Sequence, residues 1–157
     1  MLKVLIADDE EKICQLIIKL INWEEMGLKI AATASNGIEA LEQAKICKPE
    51  ILITDIRMPG IDGMELIRKV KEKLPDTEII IISGYRHFEY AQTAIRYGVR
   101  NYLLKPIKKE ELRDTLQKIA DIYREKNEQL NFEERVRLAL KNDAGKLRTS
   151  FISRMIY

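Results

Sequence analysis

The chain has 157 residues, 46% hydrophobic and 33% charged, with 27 basic residues against 25 acidic ones. That length is one domain with at most a short appendage, and the near-neutral balance argues against a chain built mainly to grip nucleic acid or a membrane surface. The aliphatic content excludes disorder, and two cysteines, Cys14 and Cys47, are too few for a disulfide scaffold. Both lie in helix-like apolar patterns, where free thiols act as small core hydrophobes, and this points to a reducing compartment. MLKVLIADDE meets two aspartates too early for a signal peptide, and no apolar run approaches the roughly 20 residues that cross a bilayer. The expectation is a soluble cytoplasmic protein without membrane attachment.

Leu2 to Ala7 is a short apolar run ending at Asp8-Asp9, followed by Ile13, Leu16, Ile17 and Leu20 at helical spacing. Leu28 to Ala34 reads as a second strand. Asn36-Gly37 punctuates, and Ile38, Leu41, Ala44 and Cys47 form the next helical stripe. Glu50 to Thr54 is a third strand ending at Asp55. Beyond the loop Met58-Pro59-Gly60 and Asp62-Gly63 comes a helix with Met64, Ile67, Val70 and Leu74 inward. Glu78 to Ile82 is a fourth strand closed by Ser83-Gly84. A helix from about His87 to Tyr97 places Phe88, Ala91 and Ile95 inward, and Val99 to Leu104 is a fifth strand broken by Lys105-Pro106. The last helix begins near Lys109 with Leu112, Leu116 and Ile119 as its stripe.

Strands alternating with helices predict an α/β fold with a parallel sheet, most simply a flavodoxin-like (βα)5 doubly wound arrangement of strand order 2-1-3-4-5. Near-continuous aliphatic strands predict a sheet covered on both faces. In such sheets the ligand lies beyond the carboxyl ends of the strands. Those ends carry Asp8-Asp9, Asp55, Ser83 and Lys105, all on one rim.

Three carboxylates there repel unless a cation sits among them, and oxygen-only donors suit Mg²⁺. Asp55 then reads as the nucleophile of phosphoryl transfer, Asp8 and Asp9 as metal binders, Lys105 as the phosphate-pairing cation and Ser83 as a hydroxyl donor to phosphate. Each has a plainer explanation alone: Asp8-Asp9-Glu10 as a helix-start cluster, Asp55 as a turn residue, Lys105-Pro106 as a loop in which a cis bond is worth checking. Their coincidence at four of five strand ends carries the inference. His87, the only histidine, reads as a surface or helix-start residue, a zinc site is not expected, and neither a Walker A sequence nor GxGxxG occurs.

LIADDE, ITDIRMPGIDGMELI, IIISGY and NYLLKPI resemble the receiver domain of bacterial two-component response regulators. The resemblance covers residues 1–124. It implies that a sensor histidine kinase passes a phosphoryl group to Asp55, with Mg²⁺ held by Asp8, Asp9, Asp55 and the backbone carbonyl of Arg57. It further implies that Ser83 and Tyr102 form a switch pair, Ser83 moving toward the phosphate and the Tyr102 ring turning inward. Such a domain is a phosphoacceptor switch rather than an enzyme with turnover, and it commonly dimerises on phosphorylation. Ser83 stands where the family often has Thr, which keeps the hydroxyl. Arg57 and Tyr85, two residues beyond Asp55 and Ser83, read either as a screen of the site against water or as plain solvent-exposed loop residues.

NWEEMGL, ASNGIEAL and SGYRHFEYAQTAIRYGVRNYLLKPI are similar to the subgroup preceding AraC-type helix-turn-helix regions, transcription regulators often of sugar-uptake genes. The 33 residues after Arg124 are too few for such a region, so DNA is expected to be met only through an output domain outside this chain. Leu112, Leu116, Ile119, Tyr123, Lys126 and Leu130 keep a four-three spacing that predicts an extended last helix. From Arg135 onward six basic residues meet one acidic, interleaved with Val136, Leu138, Leu140, Phe151, Ile152 and Ile156, and 125–157 reads as a helical linker. An aspartyl-phosphate phosphatase is disfavoured because Ile56-Arg57 breaks its DxD motif. A pseudo-receiver scaffold working without phosphorylation is the remaining alternative.

Overall fold

The computed structural model describes residues 1–84 and 88–142, apart from the side chains of Phe88, Ala91, Lys141 and Asn142. Tyr85 and His87, and the reading of the basic, apolar stretch after residue 142, lie outside the described residues. Five strands, β1 (Leu2–Ala7), β2 (Leu28–Ala34), β3 (Ile51–Thr54), β4 (Glu78–Ser83) and β5 (Asn101–Leu104), alternate with α1 (Glu11–Leu20), α2 (Gly37–Cys47), α3 (Gly63–Lys73), α4 (Phe88–Arg96) and α5 (Lys109–Asn142). All pairings are parallel and the order is β2-β1-β3-β4-β5, as the alternation predicts. A 3-10 turn at Glu24–Met26, unmarked by hydrophobic period, leads into β2 through Gly27 at φ 73.

The core strands have the burial expected of a sheet covered on both faces. Every residue of β3 and β4 is buried, as are Val4 to Ala7 of β1. The edge strands depart from this: β2 alternates between buried and exposed positions and β5 is half-buried throughout. An edge strand lacks a neighbour to carry the helical layers across it, so one side of each pleat meets water.

Three helical stripes differ from the sequence reading in one instructive way. Leu16, Ile38 and Ile95 were expected inward, and they are exposed, Ile95 by 70%. The buried positions nearby are Cys14 and Ile17 in α1, Gly37, Ala40 and Ala44 in α2, and Ala94 in α4. In α2 and α4 small residues take the buried line, one position from the larger residues that hydropathy favours, whereas in α1 the expected Ile17 is buried. Gly37 meets the loop before α3 instead, where a Cβ would lie 1.9 Å from the carbonyl oxygen of Ile61. In α3 the expected Ile67 and Val70 are buried, with Leu66 beside them.

Local signals set the helix starts. Asn36 and Asp62 cap α2 and α3, their side-chain oxygens accepting the N–H of Glu39 (2.8 Å) and Glu65 (2.9 Å). Residues Met1–Ala120 form one compact unit, to which α5 contributes buried Leu112, Leu116 and Ile119. A second unit begins at Asp121. Within it Tyr123 lies under the Lys126 ammonium at 5.6 Å, while Leu130, Phe132, Leu138 and Leu140 are exposed.

Candidate functional site

The sheet ladder continues one residue past three strands. The N–H groups of Asp8, Asp55 and Lys105 donate to Ala34 (3.0 Å), Ala7 (3.1 Å) and Ser83 (2.9 Å) carbonyls respectively. Because the strands are parallel and in register, these three residues emerge at the same rim on fixed backbone. The side chains then converge. Lys105 Nζ lies 3.0 Å from Asp55 Oδ2 and 3.2 Å from Asp8 Oδ2. Carboxylate oxygens of Asp8, Asp9 and Asp55 all lie within 4.8 Å of one another.

The remaining oxygens of the buried pair are held by backbone. Asp8 Oδ1 accepts the Glu10 N–H at 2.9 Å, and Asp55 Oδ1 accepts the Ile56 N–H at 2.7 Å. Asp8 thus bends the chain just before α1 and joins the rim cluster, while the N-cap position itself falls to Glu10, which makes no side-chain capping bond. The Lys105-Pro106 bond is cis. Two further residues buttress Asp55 and were not singled out from sequence. Thr54 Oγ1 donates to the Asp55 carbonyl at 2.9 Å, and Gly63 passes so close that a Cβ would sit 2.1 Å from that same oxygen. The Asp62-Gly63 pair reads in sequence only as loop punctuation; the close approach appears once α3 is docked.

Burial raises the Asp8 carboxyl above its ordinary value, with the Asp55 charge adding to the rise, while the Glu10 N–H and Lys105 hold it back. For Lys105 burial acts to depress the ammonium, but contacts with Asp55 and Asp8 outweigh it and its pKa is raised. Burial raises the Cys14 thiol, whose Sγ donates to the Asp8 carbonyl at 3.8 Å, and this keeps it a protonated wall residue. Cys47 is half-buried and its thiol is likewise raised by burial.

Three carboxylates against one ammonium leave two uncompensated negative charges at a rim of oxygen donors. Asp9 is exposed while Asp8 and Asp55 are buried, so the group opens to solvent on one side. An oxygen-only set of this charge fits a hard divalent cation such as Mg²⁺ and offers no soft ligand for zinc. The cleft over the cluster, about 320 Å³, is lined by Asp9, Glu10, Asp55, Arg57, Gly84 and Lys105.

Ser83 is fully buried at the end of β4, and its side chain shares a hydrogen bond with the half-buried Tyr102 of β5. Burial raises the Tyr102 phenol, with the Asp55 charge adding to it and the Ser83 contact opposing it. Arg57 is exposed beside the cleft, its Nη2 donating to the Tyr90 hydroxyl of α4 at 3.3 Å.

A parallel five-stranded sheet with an acidic cluster and a lysine at its carboxyl rim defines the class, and the comparisons name the family. The response regulator receiver domain model matches residues 4–117. The chain belongs to the receiver-domain family of two-component response regulators. It is 40% identical over 139 residues to the uncharacterized transcriptional regulatory protein YesN of Bacillus subtilis, covering 85% of this chain and 38% of YesN. The chain therefore spans about two fifths of that relative's length. It resembles the receiver domain of AraT, a response regulator from Geobacillus stearothermophilus, at TM-score 0.77 and 41% identity, covering 80% of this chain and 98% of that one. It is also similar to a two-component transcriptional regulator AraC from Clostridium phytofermentans, at TM-score 0.72 and 36% identity, covering 77% and 94% of the two chains.

Proposed function

We propose that this chain is the phosphorylation-controlled part of a transcription regulator, with Asp55 accepting a phosphoryl group from a sensor histidine kinase in the cytoplasm. The observation that carries the reading is the placement of Lys105 between Asp55 and Asp8, with Asp9 completing a cluster two charges short of neutrality. A carboxylate oxygen of Asp55 attacks phosphorus, the bond from phosphorus to the kinase imidazole nitrogen breaks, and its electron pair leaves with the imidazole. Lys105 offsets charge on the transferred group, and the hydroxyl of Ser83 donates to a phosphoryl oxygen. Asp8, Asp9, Asp55 and the Arg57 carbonyl would hold Mg²⁺, which supplies charge neutralisation for the incoming phosphoryl oxygens.

The phosphoryl group adds about −1.5 to −2 of charge at a site whose back wall is Ser83 and Tyr102. This shifts the balance between two arrangements of α4, β5 and α5, and the favoured one pairs two copies. Likeness to YesN and to the AraC regulator supports an AraC-type helix-turn-helix output in a longer chain, DNA being met only there. Residues 1–124 are then the switch and 125–157 the helical linker toward the output, consistent with a compact unit of Met1–Ala120. Intact mass after incubation with acetyl phosphate, with and without Mg²⁺, tests the reading beside Asp55→Asn. One Mg²⁺-dependent adduct that the variant lacks is the expected result. A folded chain that takes no adduct returns the pseudo-receiver scaffold.

A further inference from the structure

Arg57 has two surroundings at once. Its chain lines the cleft that holds Asp9, Asp55 and Lys105, yet its guanidinium donates to a neutral phenol on α4, the Tyr90 hydroxyl at 3.3 Å. Tyr90 is not a loose surface ring. It packs against the main core cluster, as do Tyr97 and Tyr102, and it is near enough to Tyr102 to influence the ionisation of that phenol. The result is an arc of groups around Asp55: Arg57 after β3, Tyr90 on α4, Tyr102 on β5, and Ser83 at the end of β4.

We propose that Tyr90 is a positioning residue that parks the Arg57 guanidinium away from the phosphoryl position and thereby ties the placement of α4 to the charge on Asp55. The inference rests on Asp55 being the phosphoacceptor. The physical argument is a competition between two acceptors. A phenol oxygen is a neutral acceptor, whereas an aspartyl phosphate two residues from Arg57 presents three oxygens and up to two negative charges. The phosphoryl group adds opposite charge and offers the planar guanidinium a two-pronged pairing that a phenol oxygen cannot, so the guanidinium transfers to the phosphoryl group when it arrives. Tyr90 then gives up the Arg57 contact, and α4 is relieved of one contact that fixes it relative to the β3–α3 loop. Linkage makes the coupling reciprocal: an α4 held by a partner in the position that denies Tyr90 to Arg57 favours the phosphorylated state by the same factor.

The other charged groups around Arg57 sharpen the point. Lys105 repels it from the centre of the cleft, while Asp9, Glu10 and Asp55 attract it. The net field draws the guanidinium toward the cleft, and the Tyr90 hydroxyl opposes that pull with one hydrogen bond whose removal has a measurable effect.

The test is the initial rate of phosphoryl uptake from acetyl phosphate in saturating Mg²⁺, by intact mass, for the parent chain, Tyr90→Phe, Arg57→Ala and the double variant. Tyr90→Phe keeps the ring and its packing and deletes the hydroxyl. The expected result is an uptake rate raised about two- to tenfold in Tyr90→Phe, the range of a single hydrogen bond. That increase should vanish when Arg57 is already alanine. An equal increase in both backgrounds would show that the ring acts through packing and would overturn the proposal, as would an unchanged Tyr90→Phe rate. In the unphosphorylated chain, the Arg57 side-chain N–H resonance should move in Tyr90→Phe, and an unmoved signal also counts against the tether. A parent chain that takes no phosphoryl group overturns the phosphoacceptor reading and this inference with it, whereas a competent parent with an unmoved variant overturns this inference alone.

Discussion

The two ends of the sheet handle acid groups in opposite ways. At the amino end, Glu50 Oε2 accepts the Lys3 N–H at 2.6 Å, buried Glu78 faces the exposed Arg100 guanidinium at 3.9 Å, and Thr77 Oγ1 donates to the Pro49 carbonyl at 2.7 Å. Each polar group there has a partner of its own, and the contacts staple neighbouring segments together. At the carboxyl end one oxygen from each of Asp8, Asp9 and Asp55 lies within 4.8 Å of the others, and Lys105 pairs with both Asp8 and Asp55. Like charges brought together in a buried setting cost stability, and a fold that keeps them does so where a ligand relieves the cost. Polar groups at the amino end are thus paired one to one, whereas those at the carboxyl end are left short of positive charge.

Substitutions can break that distinction, and the largest effects belong to the carboxyl end. Asp55→Asn should abolish phosphoryl uptake from acetyl phosphate, since the amide is no nucleophile toward phosphorus; an undiminished adduct by intact mass would move the acceptor elsewhere. Lys105→Met should slow uptake about 10²- to 10³-fold, the usual cost of losing one preorganised charge partner, with Mg²⁺ still bound in a titration. The amino end should behave in reverse. Thr77→Val removes a buried hydroxyl bonded to Pro49 and should cost about 1–3 kcal/mol in urea denaturation while leaving the uptake rate within error.

The smallest effect concerns Asp8 in metal-free protein. Its pKa is raised in the folded chain, so between the ordinary carboxylate value of 3.8 and the raised one the folded state binds the extra proton. Stability from this group is therefore highest at low pH and falls as pH rises through that window, the ionised carboxylate being a burden above it. Asp8→Asn should raise metal-free stability at pH 7 relative to the parent, with the gain shrinking as pH falls toward 4. Mg²⁺ should narrow the difference by stabilising the parent. Chemical denaturation with and without the ion measures this, and a variant less stable than the parent at pH 7 would show that the Lys105–Asp8 contact outweighs the burial cost.

Much of the site was legible because a parallel sheet makes sequence into geometry. Each strand ends abruptly in a polar residue, and once the strands run the same way those ends share a rim whatever the loops do. That reasoning reaches Asp8, Asp9, Asp55, Ser83 and Lys105 from periodicity alone, and the structure brings four of them into contact through the lysine and the acidic cluster. It does not reach Thr54 or Gly63, whose contributions are a hydroxyl on the Asp55 carbonyl and the absence of a Cβ beside it. Nor does it reach the Arg57–Tyr90 contact, made between residues 33 apart on different elements.

What the sequence determined by itself is the order of elements, the strand ends and hence the chemical character of one rim, because those depend on local period and on chain direction. What only the tertiary structure decided is which side of each helix meets the sheet and how charge is shared. Ala94 rather than Ile95 faces inward because close packing selects for small size at the contact line, and no local pattern reports the distance between layers. Lys105 lies between Asp8 and Asp55, residues 97 and 50 positions away, because electrostatic pairing acts through space once the backbone has set the distances.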